Sequence, residues 1–133
     1  MRANGGWIDL LAPTVLIDYL RGYWGAVELV DGLAGGGHNL AACCVSVAEL
    51  YTGVNPAQRT KVDGLISGLE YYDISVAAAK EAGSYRHDYA RRGIALSVAD
   101  TLIAATAIDQ GAILVTANPK DFPMEEIQLL EHP

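Results

Sequence analysis

Ser97-Val-Ala-Asp-Thr-Leu-Ile-Ala-Ala-Thr-Ala-Ile-Asp-Gln-Gly111 decides how the rest of the chain is read. Ser97 is a strong helix N-cap, and Asp100 three positions on completes an S-x-x-D capping pattern. Leu102, Ile103, Ala105, Thr106, Ala107 and Ile108 leave almost no polar face. A helix apolar nearly all round is a buried one. Gly111 supplies the stop, and Ala112 to Thr116 follows as a short apolar strand. Asp100 thus stands in the first turn of a central helix, where free backbone N–H groups and the helix dipole favour negative charge. Upstream, Leu40 to Ser46 reads as a buried strand, and Ser46-Val-Ala-Glu49 reads as the opening of the next helix. That reading gives Glu49 the same first-turn position as Asp100. Capping of its own helix is the bland role for either acid taken alone.

The bulk properties set the frame. A chain of 133 residues, 51% apolar and 19% charged, makes one globular domain spanning 1–133. No run of 18 apolar residues and no N-terminal secretion pattern occurs, so the expected setting is the cytoplasm, away from any membrane. Cys43 and Cys44 are adjacent and poorly placed to bridge, and read as two buried thiols. The net charge of −7 weighs against non-specific nucleic-acid binding, which needs a basic stripe. It suits a site that recruits divalent metal, or a basic partner.

In chain order, Trp7 to Val15 reads as a strand that ends near Leu11 or Ala12 before Pro13. Thr14 is the expected cap of a helix through Arg21, and Tyr23 to Ala34 is a second helix. Gly35 to Asn39 is a loop without phosphate-cradle spacing. Asn55-Pro56 starts a helix to about Leu69, Tyr71 to Ile74 is a third strand, and Ser75 caps a long helix to about Arg92. A turn, Ala117 to Asp121, precedes a last edge strand at Ile127 to Leu130. Strands alternating with helices predict an α/β fold, a mostly parallel sheet covered on both faces. Ligands in such folds bind beyond the carboxyl ends of the strands. The residues expected just past those ends are Ala12–Thr14, Ser46–Glu49, Ser97–Asp100 and Thr116–Asp121. Three acids therefore gather at one rim. Clustered carboxylates need a compensating cation, and hard oxygen donors suit Mg2+ or Mn2+.

Four segments carry a family likeness: Thr14-Val-Leu-Ile-Asp-Tyr-Leu-Arg-Gly22, Ser46-Val-Ala-Glu-Leu-Tyr-Thr-Gly53, Ala99-Asp-Thr-Leu-Ile-Ala-Ala-Thr-Ala107 and Leu114-Val-Thr-Ala-Asn-Pro-Lys-Asp-Phe122. In this order and spacing the chain resembles a PIN-domain ribonuclease of the VapC toxin type over nearly its whole length. The resemblance implies a PIN-like three-layer α/β/α sandwich and metal-dependent endoribonuclease activity on tRNA or other structured RNA, with Mg2+ or Mn2+ as cofactor. It also implies a homodimer, neutralised by a VapB-like antitoxin that places an arginine on the acidic rim. Glu49 and Asp100 match the family's second and third acids, and Asp121 matches a fourth, with Asn118 its rival for that slot.

The first family acid falls on Ala12. The resemblance makes that position a direct metal ligand, together with Asp100, while Glu49 and Asp121 bind metal through water or orient the attacking water. Thr14 and Thr116 are candidates to hold the carboxylates or the scissile phosphate, although capping is the plainer role for Thr14. Asp9 and Asp18 point the wrong way to replace the lost acid. An Asp-to-Ala change at position 12, deliberate or natural, accounts for an otherwise intact motif set and implies a catalytically impaired chain. Arg21, Arg91, Arg92 and Asn118 are the candidate RNA contacts. Arg91 and Arg92 equally complement the end of their own helix. His38, His87 and His132 show no ligand spacing and read as surface polar groups. Two other classes remain: a non-catalytic PIN-fold scaffold, and a phosphoryl-accepting receiver domain.

Overall fold

The computed structural model describes residues 6–133. The elements run β1 (Ile8–Leu11), α1 (Pro13–Leu20), α2 (Trp24–Gly35), β2 (Asn39–Cys43), α3 (Cys44–Thr52), a 3-10 turn (Pro56–Gln58) and α4 (Arg59–Ser67). They continue through β3 (Glu70–Tyr72), α5 (Val76–Arg91), α6 (Val98–Asp109), β4 (Ile113–Thr116), a second 3-10 turn (Pro119–Asp121) and β5 (Gln128–Glu131). The five strands form one sheet in the order β3-β2-β1-β4-β5, and every pairing is parallel. Parallel strands need crossover helices, which cover both faces and bury the strands between them.

The two faces are filled by different helices. On one, Leu10, Ala12, Ala41, Cys43 and Leu114 pack against Ile103, Ala104 and Ala107 of α6 and against Tyr85 and Tyr89 of α5. On the other, Leu11, Ala42 and Val115 meet Val15 and Leu16 of α1, Val30 of α2, Leu50 of α3 and Val62 of α4. Helix α6 is apolar all round because it is covered twice. Its Ala104 side meets the sheet, while Ala105 and Leu102 pack on Ala78 and Ala82 of α5. Its buried threonines are satisfied within the helix: Thr101 Oγ1 donates to Ser97 and Val98 carbonyls, and Thr106 Oγ1 to that of Leu102. At its end Gly111, at φ 64, takes the left-handed conformation that lets the chain leave for β4.

Several sequence expectations are corrected. Residue 14 is not the cap of α1. The cap is Ala12, in extended conformation with no side-chain bond, because Pro13 fills the first helical position and Thr14 the second. Strand β2 ends at Cys43, and α3 begins at Cys44, so Ser46 is inside the helix and Glu49 lies beyond its first turn. Cys44 is only half-buried, whereas Cys43 is buried. The Asn55 side chain caps only the 3-10 turn, accepting from Gln58 N at 3.2 Å, before α4 starts.

The histidines also depart from a surface reading. His132 is 5% exposed, and its Nε2 lies 2.9 Å from Asp18 Oδ2. His38 meets the fully buried Asp9 of β1, and the Trp7 ring stacks on the imidazole. Burial pushes the Asp9 carboxyl above its ordinary range, more than the His38 hydrogen bond and charge pull it down. An acid raised in the folded state contributes stability that is fully present below its unfolded pKa and lost as pH rises through the folded value. Asp9→Asn removes that loss while keeping an acceptor for His38. Urea unfolding should show the variant more stable than the parent at pH 7, with the gap closing towards pH 4. A gap that widened on acidification would contradict this.

Candidate active site

The strand order places a topological switch point at β1. The chain leaves β1 for β2 on one side and later returns to β4 on the other, which opens a crevice at the carboxyl ends of these strands. Ala12 sits in that crevice. Its N–H continues the ladder by donating to Val115 O at 2.9 Å, and its methyl group, 2% exposed, belongs to the core face shared with α6.

The three candidate acids come from three segments. Asp100 arrives on the first turn of α6, whose start is fixed by Ser97 Oγ accepting from Asp100 N at 3.0 Å. Arg86 of α5 braces the preceding loop by donating from Nε to Leu96 O at 2.9 Å. Glu49 projects from α3. Asp121 ends the turn after β4, and that turn is shaped by Thr116 Oγ1, which accepts from Asn118 N at 3.0 Å. Buried Phe122 and Met124 anchor the segment behind Asp121, and the Tyr89 hydroxyl donates to Pro123 O at 3.0 Å.

The acids feel one another. Burial raises the Asp100 carboxyl above its usual range, and Asp121 raises it further against the lowering bond from Ser97. Glu49 is raised by burial first and by Asp100 second. The structure therefore joins Asp100 to both other acids through their charge. Among the described residues, however, no three His, Cys, Asp or Glu side chains gather closely enough to hold a metal ion. The donor set present does not fit a divalent cation. Past the carboxyl end of β1, two residues after Ala12, the Thr14 hydroxyl is buried with no hydrogen-bond partner.

The remaining candidates separate. Thr116 is buried and spent on shaping its loop, and Asn118 is exposed at the turn. Arg91 and Arg92 are exposed at the end of α5, where Arg92 lies over the Tyr89 ring at 4.1 Å. Arg21 lines a separate cleft beside Glu49. Asp9 and Asp18 are engaged by His38 and His132. Sequence reasoning missed the bracing roles of Arg86 and Tyr89, whose partners are backbone carbonyls that carry no residue signature.

A parallel α/β sandwich with acids at its switch point defines a class, and the comparisons supply the family. The PIN domain family model matches residues 13–124, beginning one residue past Ala12. Ribonuclease VapC10 of Mycobacterium tuberculosis is 36% identical over 118 residues, covering 88% of this chain and 87% of that protein. Ribonuclease VapC19 of the same species is 30% identical over 117 residues, covering 88% and 94%. The fold also matches VapBC2 of Rickettsia felis, solved bound to a DNA fragment from its promoter, with a TM-score of 0.84 and 24% identity over 95% of this chain and 99% of that one. DNA-bound VapBC from Salmonella typhimurium matches at a TM-score of 0.81 and 23% identity, over 96% and 99%. The chain belongs to the PIN-domain family, with VapC ribonucleases as its relatives. This sets aside the receiver-domain reading.

Holding like charges together costs stability that a neutral isostere returns. Asp100→Asn should raise stability at pH 7 by about 1 kcal/mol, the usual size of a trade between function and stability. The sign follows from the raised carboxyl: the benefit is present at neutral pH and fades as acid protonates the parent. Thermal unfolding from pH 4 to 8 reads it, and a destabilised variant at pH 7 would show that the acids are not in conflict.

Proposed function

We propose that this chain is the toxin-type partner of a VapBC-like pair, built as an endoribonuclease but impaired by the loss of one acid at position 12. The observation that carries the proposal is the charge interaction of Asp100 with both Glu49 and Asp121; the buried Ala12 and the unsatisfied Thr14 hydroxyl past β1 accompany it. PIN-domain VapC nucleases are generally metal-dependent. The chemistry that such a site serves is phosphodiester hydrolysis, with structured RNA such as tRNA as the expected substrate; two further relatives are named tRNA(fMet)-specific endonucleases.

The residues present divide the work without that chemistry being complete. Ser97 and Arg86 hold the N-terminus of α6 and so set the direction of Asp100. Thr116 fixes the turn that brings in Asp121. With an aspartate at position 12, that carboxylate and Asp100 would hold Mg2+ or Mn2+, which would supply an activated water, and Glu49 and Asp121 would orient that water. The same acids, unbalanced by metal, suit an arginine from a VapB-like antitoxin, because guanidinium pairs with carboxylate in bidentate geometry. The structural relatives being toxin–antitoxin complexes supports that partner, and a homodimeric toxin is the expected assembly. A non-catalytic role as an antitoxin-binding scaffold is the second reading, and Ala12 favours it for the chain as it stands. Among the described residues no helix is long and apolar enough to cross a membrane; the cytoplasm is the expected setting.

Cleavage mapping on total tRNA tests the proposal. Ala12→Asp with Mg2+ or Mn2+ should cut at least about 100-fold faster than the parent, the effect of several kcal/mol of regained charge stabilisation, and EDTA should abolish the gain. Equal rates for parent and variant would overturn it.

A further inference from the structure

Asp100 lies in the first turn of α6, and Asp121 ends the turn after β4. The two interact through charge, so their spacing sets how strongly they repel. From Phe122 to Ile127 the chain is neither helix nor strand, and no ladder fixes its path. Side chains of α5 hold it instead. The Tyr89 hydroxyl donates to Pro123 O, two residues past Asp121, and the Tyr85 hydroxyl donates to Glu126 Oε2, each at 3.0 Å. The same stretch of α5 reaches the segment of the other acid, where Arg86 Nε donates to Leu96 O at 2.9 Å, four residues before Asp100. Arg86 and Tyr89 are three positions apart and therefore neighbours on the helix surface. Helices α5 and α6 are joined further along: Ser75 Oγ at the cap of α5 donates to Asp109 Oδ2 at 3.3 Å, and Ala78 and Ala82 pack with Ala105. Arg92 lies over the Tyr89 ring at 4.1 Å, so the phenol is held at its face as well as at its hydroxyl.

We propose that α5 is a gauge: through Arg86 and Tyr89 it sets the spacing between Asp100 and Asp121, with Arg92 keeping the Tyr89 ring in place. Arg86 and Tyr89 are positioning residues, acting through the backbone carbonyls that they grip. The proposal rests on the reading of the rim as a site whose acids act together. Such a site needs supporting groups whose own conformations are locked. Tyr89 meets that need, being 8% exposed, hydrogen-bonded and stacked. Tyr85 supplies the contrast. It is equally buried, but its hydroxyl bonds a glutamate side chain five residues past Asp121, and so anchors the segment without setting the acid. Arg92, a candidate RNA contact in the sequence, thereby gains a role inside the protein.

Amide hydrogen exchange and residual dipolar couplings on the isotopically labelled chain test this without metal. Tyr89→Phe removes only the hydroxyl. It should speed exchange of the 117–122 amides at least about fivefold, the effect of one ordinary hydrogen bond. The couplings of those amides should also depart from the orientation that they hold relative to α6 in the parent. Arg86→Met should do the same for the 97–101 amides, while Tyr85→Phe should leave the 117–122 couplings as they are. A merely structural role for Tyr89 would lower the thermal midpoint without reorienting the turn. Should Tyr89→Phe not fold, Arg92→Ala decides, with a smaller shift of the same couplings expected. Couplings of 117–122 that stay fixed in the folded variant, or that move as much in Tyr85→Phe, would overturn the gauge. In the Ala12→Asp background Tyr89→Phe should weaken Mn2+ uptake at least about fivefold, and unchanged uptake would also overturn it. No Mn2+ uptake by Ala12→Asp itself would overturn the metal reading of the rim, and the couplings would still decide the gauge.

Discussion

Like charges crowd at the carboxyl ends of β1 and β4, and the rest of the molecule is arranged to hold them there. Asp100 is pinned by a cap at Ser97 and by the burial of α6 against both the sheet and α5. Asp121 is pinned by a turn whose hydroxyl pivot is Thr116 and whose exit is locked by Phe122 and Met124. The mutual repulsion is offset by packing elsewhere, as functional sites commonly require. Between β1 and α1, at one of these strand ends, stands Ala12.

That alanine changes what the site can do more than it changes the fold. Ala12 keeps the backbone ladder to Val115 and still starts α1, because Pro13 pre-sets the first helical turn without needing a side-chain cap. The fold therefore does not depend on a carboxylate at position 12, whereas the metal-binding site proposed above would.

The sequence was most legible where local signals agree. Ser97 and Gly111 bounded α6 because a cap, an apolar run and a left-handed glycine all pointed the same way. It was least legible where one signal stood for another. Ser46 looked like a cap but lies inside α3, its hydroxyl 3.7 Å from Cys43 Sγ, because β2 ends earlier than its apolar run suggests. Thr14 looked like the cap of α1, yet the local geometry is set by Pro13. The pairs Asp9–His38 and Asp18–His132 join residues 29 and 114 positions apart, and no local pattern announces them. The charge interactions of Asp100 with Glu49 and Asp121 accord with a parallel sheet whose strand ends share one rim, although Asp100 follows helix α5 and not a strand. The failure of those three to make a metal cage by themselves was not legible, because it depends on side-chain reach.

Titration with Mn2+, followed by calorimetry and by the loss of the free-ion paramagnetic resonance signal, addresses the central claim without relying on catalysis. The parent chain should leave the free Mn2+ signal unchanged at micromolar protein, and Ala12→Asp should take up the ion with a rise in its thermal midpoint. Tight Mn2+ uptake by the parent, or none by the folded Ala12→Asp variant, would contradict the account.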